Sequence, residues 1–176
     1  GVRLVGSEMC IRDRLKAIAP VVTGKGGGEN WKQDLLTIAE AVGKKDSAET
    51  LLAEYESNAK AWGEGLSSKP TVSFLRSKED QFQLYGVNSM AGSVAADAGL
   101  PRPANQKQIE KAGQDISAEQ LSEADADWIF YGVNAGAADP SQAATWHSLK
   151  AVQANQAVSV DCLLYTSPSP RDGLLS

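Results

Sequence analysis

From Pro70 to Val160 the chain alternates strand-like runs with short segments that open on helix caps, and that order leaves few architectures open. TVSFL (71–75) is β-branched and apolar, and QFQLYG (81–86) alternates apolar with polar at period two. DWIFYG (127–132) reads as a buried strand, and AVSV (157–160) as a last one. Between them, Asn88 and Ser89 offer caps for a helix from Met90 to Ala98, stopped by Gly99 and kept from continuing by Pro101 and Pro103. The stretch 104–115 is polar and reads as a surface excursion. Ser117 with Gln120 makes a capping box, and Asp139-Pro140 a cap followed by proline at the first helical position, opening a short helix through Trp146. The order strand, strand, helix, helix, strand, helix, strand predicts an α/β, Rossmann-like lobe with a largely parallel sheet.

Two helices precede this lobe. Trp31, Leu35, Ile38 and Val42 form one apolar stripe, with Asn30 as N-cap, Gln33 at the third position and Gly43 as the stop. A second helix restarts at Asp46. Its stripe of Ala48, Leu51, Leu52, Tyr55, Ala59 and Trp62 ends at Gly63 and Gly65, about 25 to 30 Å from its start. The aromatic residues on these stripes, Trp31, Tyr55 and Trp62, are expected in packing contacts.

Several functions are disfavoured. Lys and Arg number 17 against 22 Asp and Glu, a formal net charge of -5, which speaks against a phosphate-binding nucleic-acid surface. No apolar run approaches the roughly 20 residues of a membrane span. VVTGKGGGEN lacks the Gly-Lys-Ser/Thr ending of a phosphate loop, and Glu29 stands where a dinucleotide fingerprint needs glycine, so a surface loop is expected. His147 is the single histidine, and no serine or cysteine sits in a nucleophile elbow. Asp125 and Asp127 read as solvated turn residues. No catalytic constellation and no metal site emerges.

Two loops carry more. YGVNSM, from Tyr85 through Asn88, Ser89 and Met90, and YGVNAG, from Tyr131 through Val133 and Asn134, each leave the carboxyl end of an expected strand. In a parallel sheet both would line one crevice, where amides and backbone N–H groups can hold an oxygen-rich ligand.

The ends raise a separate question. CLLYTSPSPRD (162–172) and LVGSEMCIRD (4–13) hold the two cysteines, Cys162 and Cys10, and fit neither a zinc site nor a lipoprotein cysteine; a disulfide has only the even count behind it. The two peptides can be encoded by opposite strands of one oligonucleotide that resembles a sequencing-library adapter. Residues 1–14 and 162–176 are therefore expected to be translated adapter and its flanks, excluded from fold reasoning. The native insert would then be a fragment from Leu15 to about Val160.

Within it, FLRSKEDQFQLYGVNSMAGSVAADAGLPRP, DISAEQLSEADADWIFYGVN and TWHSLKAVQANQAVSVD, in that order, resemble the substrate-binding proteins of ABC importers for ferric siderophores, haem and cobalamin. LKAIAPVV and the two upstream helices are similar to the same family. The resemblance implies two α/β lobes joined by a long bridging helix, with 15–45 the end of the first lobe, 46–67 the bridge and 70–161 a truncated second lobe. It implies ligand contacts from Arg76, Tyr85, Asn88, Ser89, Met90, Tyr131, Val133 and Asn134, with Arg76 the charge-assisted partner of an anionic ferric chelate. Glu119 would dock the permease. The implied protein is an extracytoplasmic monomer, periplasmic or a cell-surface lipoprotein whose signal sequence lies outside this fragment. It would catalyse nothing, use no cofactor, bind no nucleic acid, hold iron only through the chelator, and hand that chelate to an ABC permease. Haem or cobalamin would be the alternative ligand; a nucleotide- or cofactor-binding enzyme domain is the rival from another class.

Overall fold

A computed structural model describes residues 13–26, 28–109, 111–133 and 136–160. Both upstream helices form: α1 is Trp31–Ala41 and α2 is Lys45–Glu64. The turn between them is a glycine device. Gly43 adopts φ +68, which an L side chain resists, and Lys44 N–H reaches back to Ala39 O at 2.7 Å. The expected caps differ. Asn30 holds the N-cap position without a side-chain cap, because its amide donates to Gly26 O at 2.8 Å instead. Asp46 sits one residue inside α2, in the first turn, where it still suits the helix dipole.

α1 folds back along α2 so that Trp31 meets Tyr55 edge-on, centroids 5.4 Å apart. Helix α3, Met90–Asp97, closes the same junction. The Trp31 indole N–H donates to Ser93 Oγ at 2.8 Å, and Lys32 Nζ bridges Glu56 at 2.7 Å and Asp97 at 2.9 Å. Trp62 does not follow Trp31 and Tyr55. It is 58% exposed, as are Leu51 and Ile38 to similar degree, because no described element covers that side of the hairpin.

The Tyr55 hydroxyl donates to Asp97 Oδ2 at 3.0 Å. Burial, then that hydrogen bond, pushes its pKa up to about 12. A raised tyrosine pKa means the folded state holds the proton more tightly. Its contribution is thus complete below the unfolded value near 10 and lost as pH rises from about 10 to 12. Tyrosinate absorbance should show a step above the free-tyrosine range, and Tyr55→Phe should remove it. A single transition near the free-tyrosine value would refute this.

Five strands follow: β1 Val72–Ser77, β2 Phe82–Tyr85, β3 Gly113–Ile116, β4 Trp128–Gly132 and β5 Ala157–Ser159, in sheet order β3-β2-β1-β4-β5. β1–β4 and β4–β5 pair in parallel, while β2 runs against both β1 and β3. The sheet is thus largely parallel in direction with one reversed strand, set by the tight 78–81 turn in which Lys78 N–H bonds Gln81 O at 2.8 Å.

β3 begins inside the stretch 104–115 that the sequence offered as a surface excursion, and Gln106 and Ile109 of that stretch are buried too. The reason is local. An edge strand pairs on one side only, so Gln114 and Asp115 stay exposed, and only Ile116 carries the apolar signal. The helix expected from Pro140 through Trp146 is two 3-10 turns, Pro140–Gln142 and Trp146–Ser148, separated where Ala143 turns extended at ψ 134. The α-helix α4, Lys150–Gln153, comes after them. The Ser117–Gln120 capping box forms as expected and opens the 3-10 run Ala118–Ala124.

Leu75, Phe82, Leu84, Ile116 and Ile129 fill one sheet face against Leu121, Trp146, Leu149 and Ala151. Asp125 and Asp127 are tied in rather than left to solvent. Asp127 Oδ2 accepts from the Thr71 N–H and hydroxyl at 2.8 and 2.9 Å, its Oδ1 meets Lys150 Nζ at 2.7 Å, and Asp125 accepts from the Lys150 N–H at 3.1 Å. The Lys150 hydrogen bond, then those from Thr71, lower the Asp127 pKa to about 2.

Candidate functional site

The other sheet face carries the candidate site. Strand residues alternate sides, so with Leu75 in the core Arg76 points the other way, and register sets it beside Gln83 and Gln83 beside Asp115. One step along, Tyr85 lies beside Gly113. This row borders a recess of ≈ 550 Å³ whose lining includes Gln83, Gln108, Lys111, Gly113, Gln114 and Asp115. A second recess of ≈ 380 Å³ lies at the β1–β2 turn, lined by Lys78, Glu79, Asp80 and Gln81. Lys78 reaches across β2, its Nζ 2.9 and 2.8 Å from the two Asp115 carboxylate oxygens.

Amides dominate the larger recess, with Lys111 and Asp115 its charged members among the described residues and Arg76 close by. Neutral amides can donate and accept toward an oxygen-rich ligand without fixing its charge. Further from the recess the same face bears stacked rings: Phe74 on Phe130 at 5.7 Å and Phe130 on Trp128 at 6.4 Å. The Arg102 guanidinium lies over Phe74 at 4.8 Å, and its Nη2 bonds Tyr85 O and, at 2.9 Å, Gln106 Oε1.

Of the residues expected to contact ligand, Arg76 and Tyr85 share this face and are half-buried. Tyr131 points into the core, edge-on to Trp146 at 5.0 Å. The Ser89 hydroxyl caps α3, accepting from Gly92 N–H at 2.9 Å and donating to Gly86 O at 2.8 Å. Asn88 and Met90 are exposed, Val133 is half-buried, and Asn134 lies outside the described residues. The single crevice expected for the two YGVN loops does not form. Because β2 runs against β4, Asn88–Met90 leave one end of the sheet and Val133 the other.

Sequence reading missed Gln83, Gln108, Lys111, Gln114 and Asp115. Period-two alternation in QFQLY does set Gln83 opposite Phe82 and Leu84, but its neighbours depend on the β2–β3 register, which needs β3. Among the described residues no group of three or more His, Cys, Asp or Glu could hold a metal ion, and no helix is long and apolar enough to cross a membrane.

The profile of the periplasmic binding protein family matches residues 6–161. The chain belongs to that family. It is a family of binding proteins, not of enzymes. The probable siderophore-binding lipoprotein YfiY of Bacillus subtilis is 29% identical over 174 residues, 89% of this chain and 54% of the relative. The Fe(3+) dicitrate-binding periplasmic protein FecB of Escherichia coli is 31% identical over 153 residues, 84% and 50%. Among solved structures, unliganded FhuD2 of Staphylococcus aureus superposes with TM-score 0.75 at 20% identity, over 89% of this chain and 65% of that one, a likeness of fold. The chain spans about half the length of the curated relatives.

Within the family fold, Glu119 is an exposed carboxylate in the first turn after the Ser117 cap. The Ser117 hydroxyl and a backbone N–H hold its pKa below the usual carboxylate value, so it stays charged at neutral pH.

Proposed function

We propose that this chain is part of an extracytoplasmic binding protein that captures a ferric siderophore and delivers it to an ABC import permease. The observation that carries the reading is the amide-rich recess beside Arg76, on a family fold whose relatives YfiY and FecB are named for siderophore and ferric dicitrate binding. Residues 15–45 end a first lobe, 46–67 bridge, and 70–161 form the second lobe. Arg76 and Tyr85 face the ligand with Gln83 and Lys111. The loop that leaves β4 through Val133 flanks the cleft at the Arg76 end of the sheet, Asn88–Met90 leave the opposite end and take no part in that contact, and Tyr131 acts from the core by orienting the Val133 loop. Glu119 docks the permease. Residues 1–14 and 162–176 are adapter-derived, and the working protein is a monomer without cofactor.

Tryptophan fluorescence of the complete protein, with both lobes present, should be saturably quenched by a ferric chelate. Arg76→Ala should weaken an anionic chelate by about tenfold, the effect of one charge-assisted hydrogen bond. The present chain alone should show no saturable quenching, because half of the cleft is supplied by the other lobe. Indifference of the complete protein to ferric siderophores, haem and cobalamin alike would remove this reading.

A further inference from the structure

Lys78 and Asp115 occupy an unusual place for a surface ion pair. Lys78 lines the smaller recess and Asp115 the larger one, and the contact between them crosses β2. Both side chains are partly in solvent, 42% and 45% exposed. An exposed pair of this kind shifts an equilibrium by only about two- to fivefold. It can therefore be broken by a ligand that offers Lys78 a better partner. Asp115 would remain as a carboxylate facing whatever lies over Gln83.

We propose that this ion pair is a displaceable partition that selects ligand by charge: an anionic chelate takes Lys78 from Asp115 and joins the two recesses into one groove, and Asp115 limits how much negative charge the groove accepts. The inference rests on the functional reading above and adds its specificity determinant. Two features support it. The cations Arg76, Lys78 and Lys111 stand around Gln83, so an anion over Gln83 has three nearby charges to meet. Among the described residues Asp115 is the single carboxylate lining the larger recess, while Glu79 and Asp80 line the smaller one beside Lys78, so Asp115 is the carboxylate placed between the two. A neutral chelate has no use for Lys78, binds through the amides, and leaves the pair closed.

The two partners then act in opposite directions, which a purely structural ion pair would not produce. In the complete protein, Asp115→Asn should tighten binding of ferric citrate by about three- to tenfold, while Lys78→Gln should weaken it by a similar factor, the scale of one partly screened charge. Ferrichrome, a neutral trihydroxamate chelate, should change by less than about twofold in either variant. Raised salt should shrink the ferric citrate effects and leave ferrichrome alone. Melting temperatures serve as the folding control; both variants should match the parent, since the pair is exposed. If the parent binds neither chelate, the partition is overturned, while the functional reading falls only if the other ferric siderophores, haem and cobalamin are ignored as well. If the parent binds ferric citrate but both variants move its affinity the same way, or neither moves it, the partition alone is overturned.

Discussion

Replacing Leu75 by alanine is expected to destabilise the protein by about 3 kcal/mol, within the roughly 2 to 5 kcal/mol that burial of a leucine side chain spans when a cavity is left behind. Leu75 is 0% exposed, sits on the central strand, and has Leu84 and Tyr131 as its cross-strand partners. Rigid neighbours on both sides leave the site little room to collapse. Ile38→Ala is the internal control. At 56% exposure on α1 it should stay within about 0.5 kcal/mol of the parent. Urea denaturation midpoints with an unchanged slope measure both. A loss below about 1 kcal/mol for Leu75→Ala would mean the core between β1 and its covering turns is not packed as described.

The second large effect is polar. Gln106 is 0% exposed, and its amide serves three groups at once. Its Oε1 accepts from Arg102 at 2.9 Å; its Nε2 donates to Ser73 Oγ at 2.9 Å and to Glu123 O at 3.1 Å. Gln106→Leu keeps the volume and removes all three bonds, one of them to a buried guanidinium. The expected cost is about 2 to 4 kcal/mol, because each stranded buried group loses water without regaining a partner. Ser73→Ala removes a single partner from the same network and should cost about 1 kcal/mol. Equal effects of the two substitutions would argue against Gln106 as the hub.

Those two residues also mark what a sequence can disclose. Leu75 stands in a β-branched, apolar run and could be assigned to the core by inspection. Gln106 could not, since a buried glutamine looks like any surface glutamine until its partners are known. The same divide runs through the site. Arg76 entered through the family resemblance and Tyr85 through the loop that leaves a recognisable strand, and both share the candidate face. Lys111 and Asp115 were hidden because β3 is an edge strand with one apolar residue, so neither periodicity nor propensity announces it. The expected crevice between the YGVN loops failed for a related reason. Strand identity was legible at Phe82–Tyr85, but strand direction depends on the 78–81 turn, whose hairpin geometry carried no strong turn signal such as Asn-Gly.

Thr71 is bound to Asp127 across 56 positions, whereas β1 meets its other neighbour, β2, across one short turn. Closing a loop costs more as it lengthens, and β4 must exist before it can close. A ribosome adding about 5 to 20 residues per second completes the hairpin some seconds before β4 emerges. During that interval Leu75 and Leu84 have nothing to pack beneath. The order of the strands therefore builds a delay into synthesis, a span in which the first hairpin waits for the parallel partner that completes its sheet.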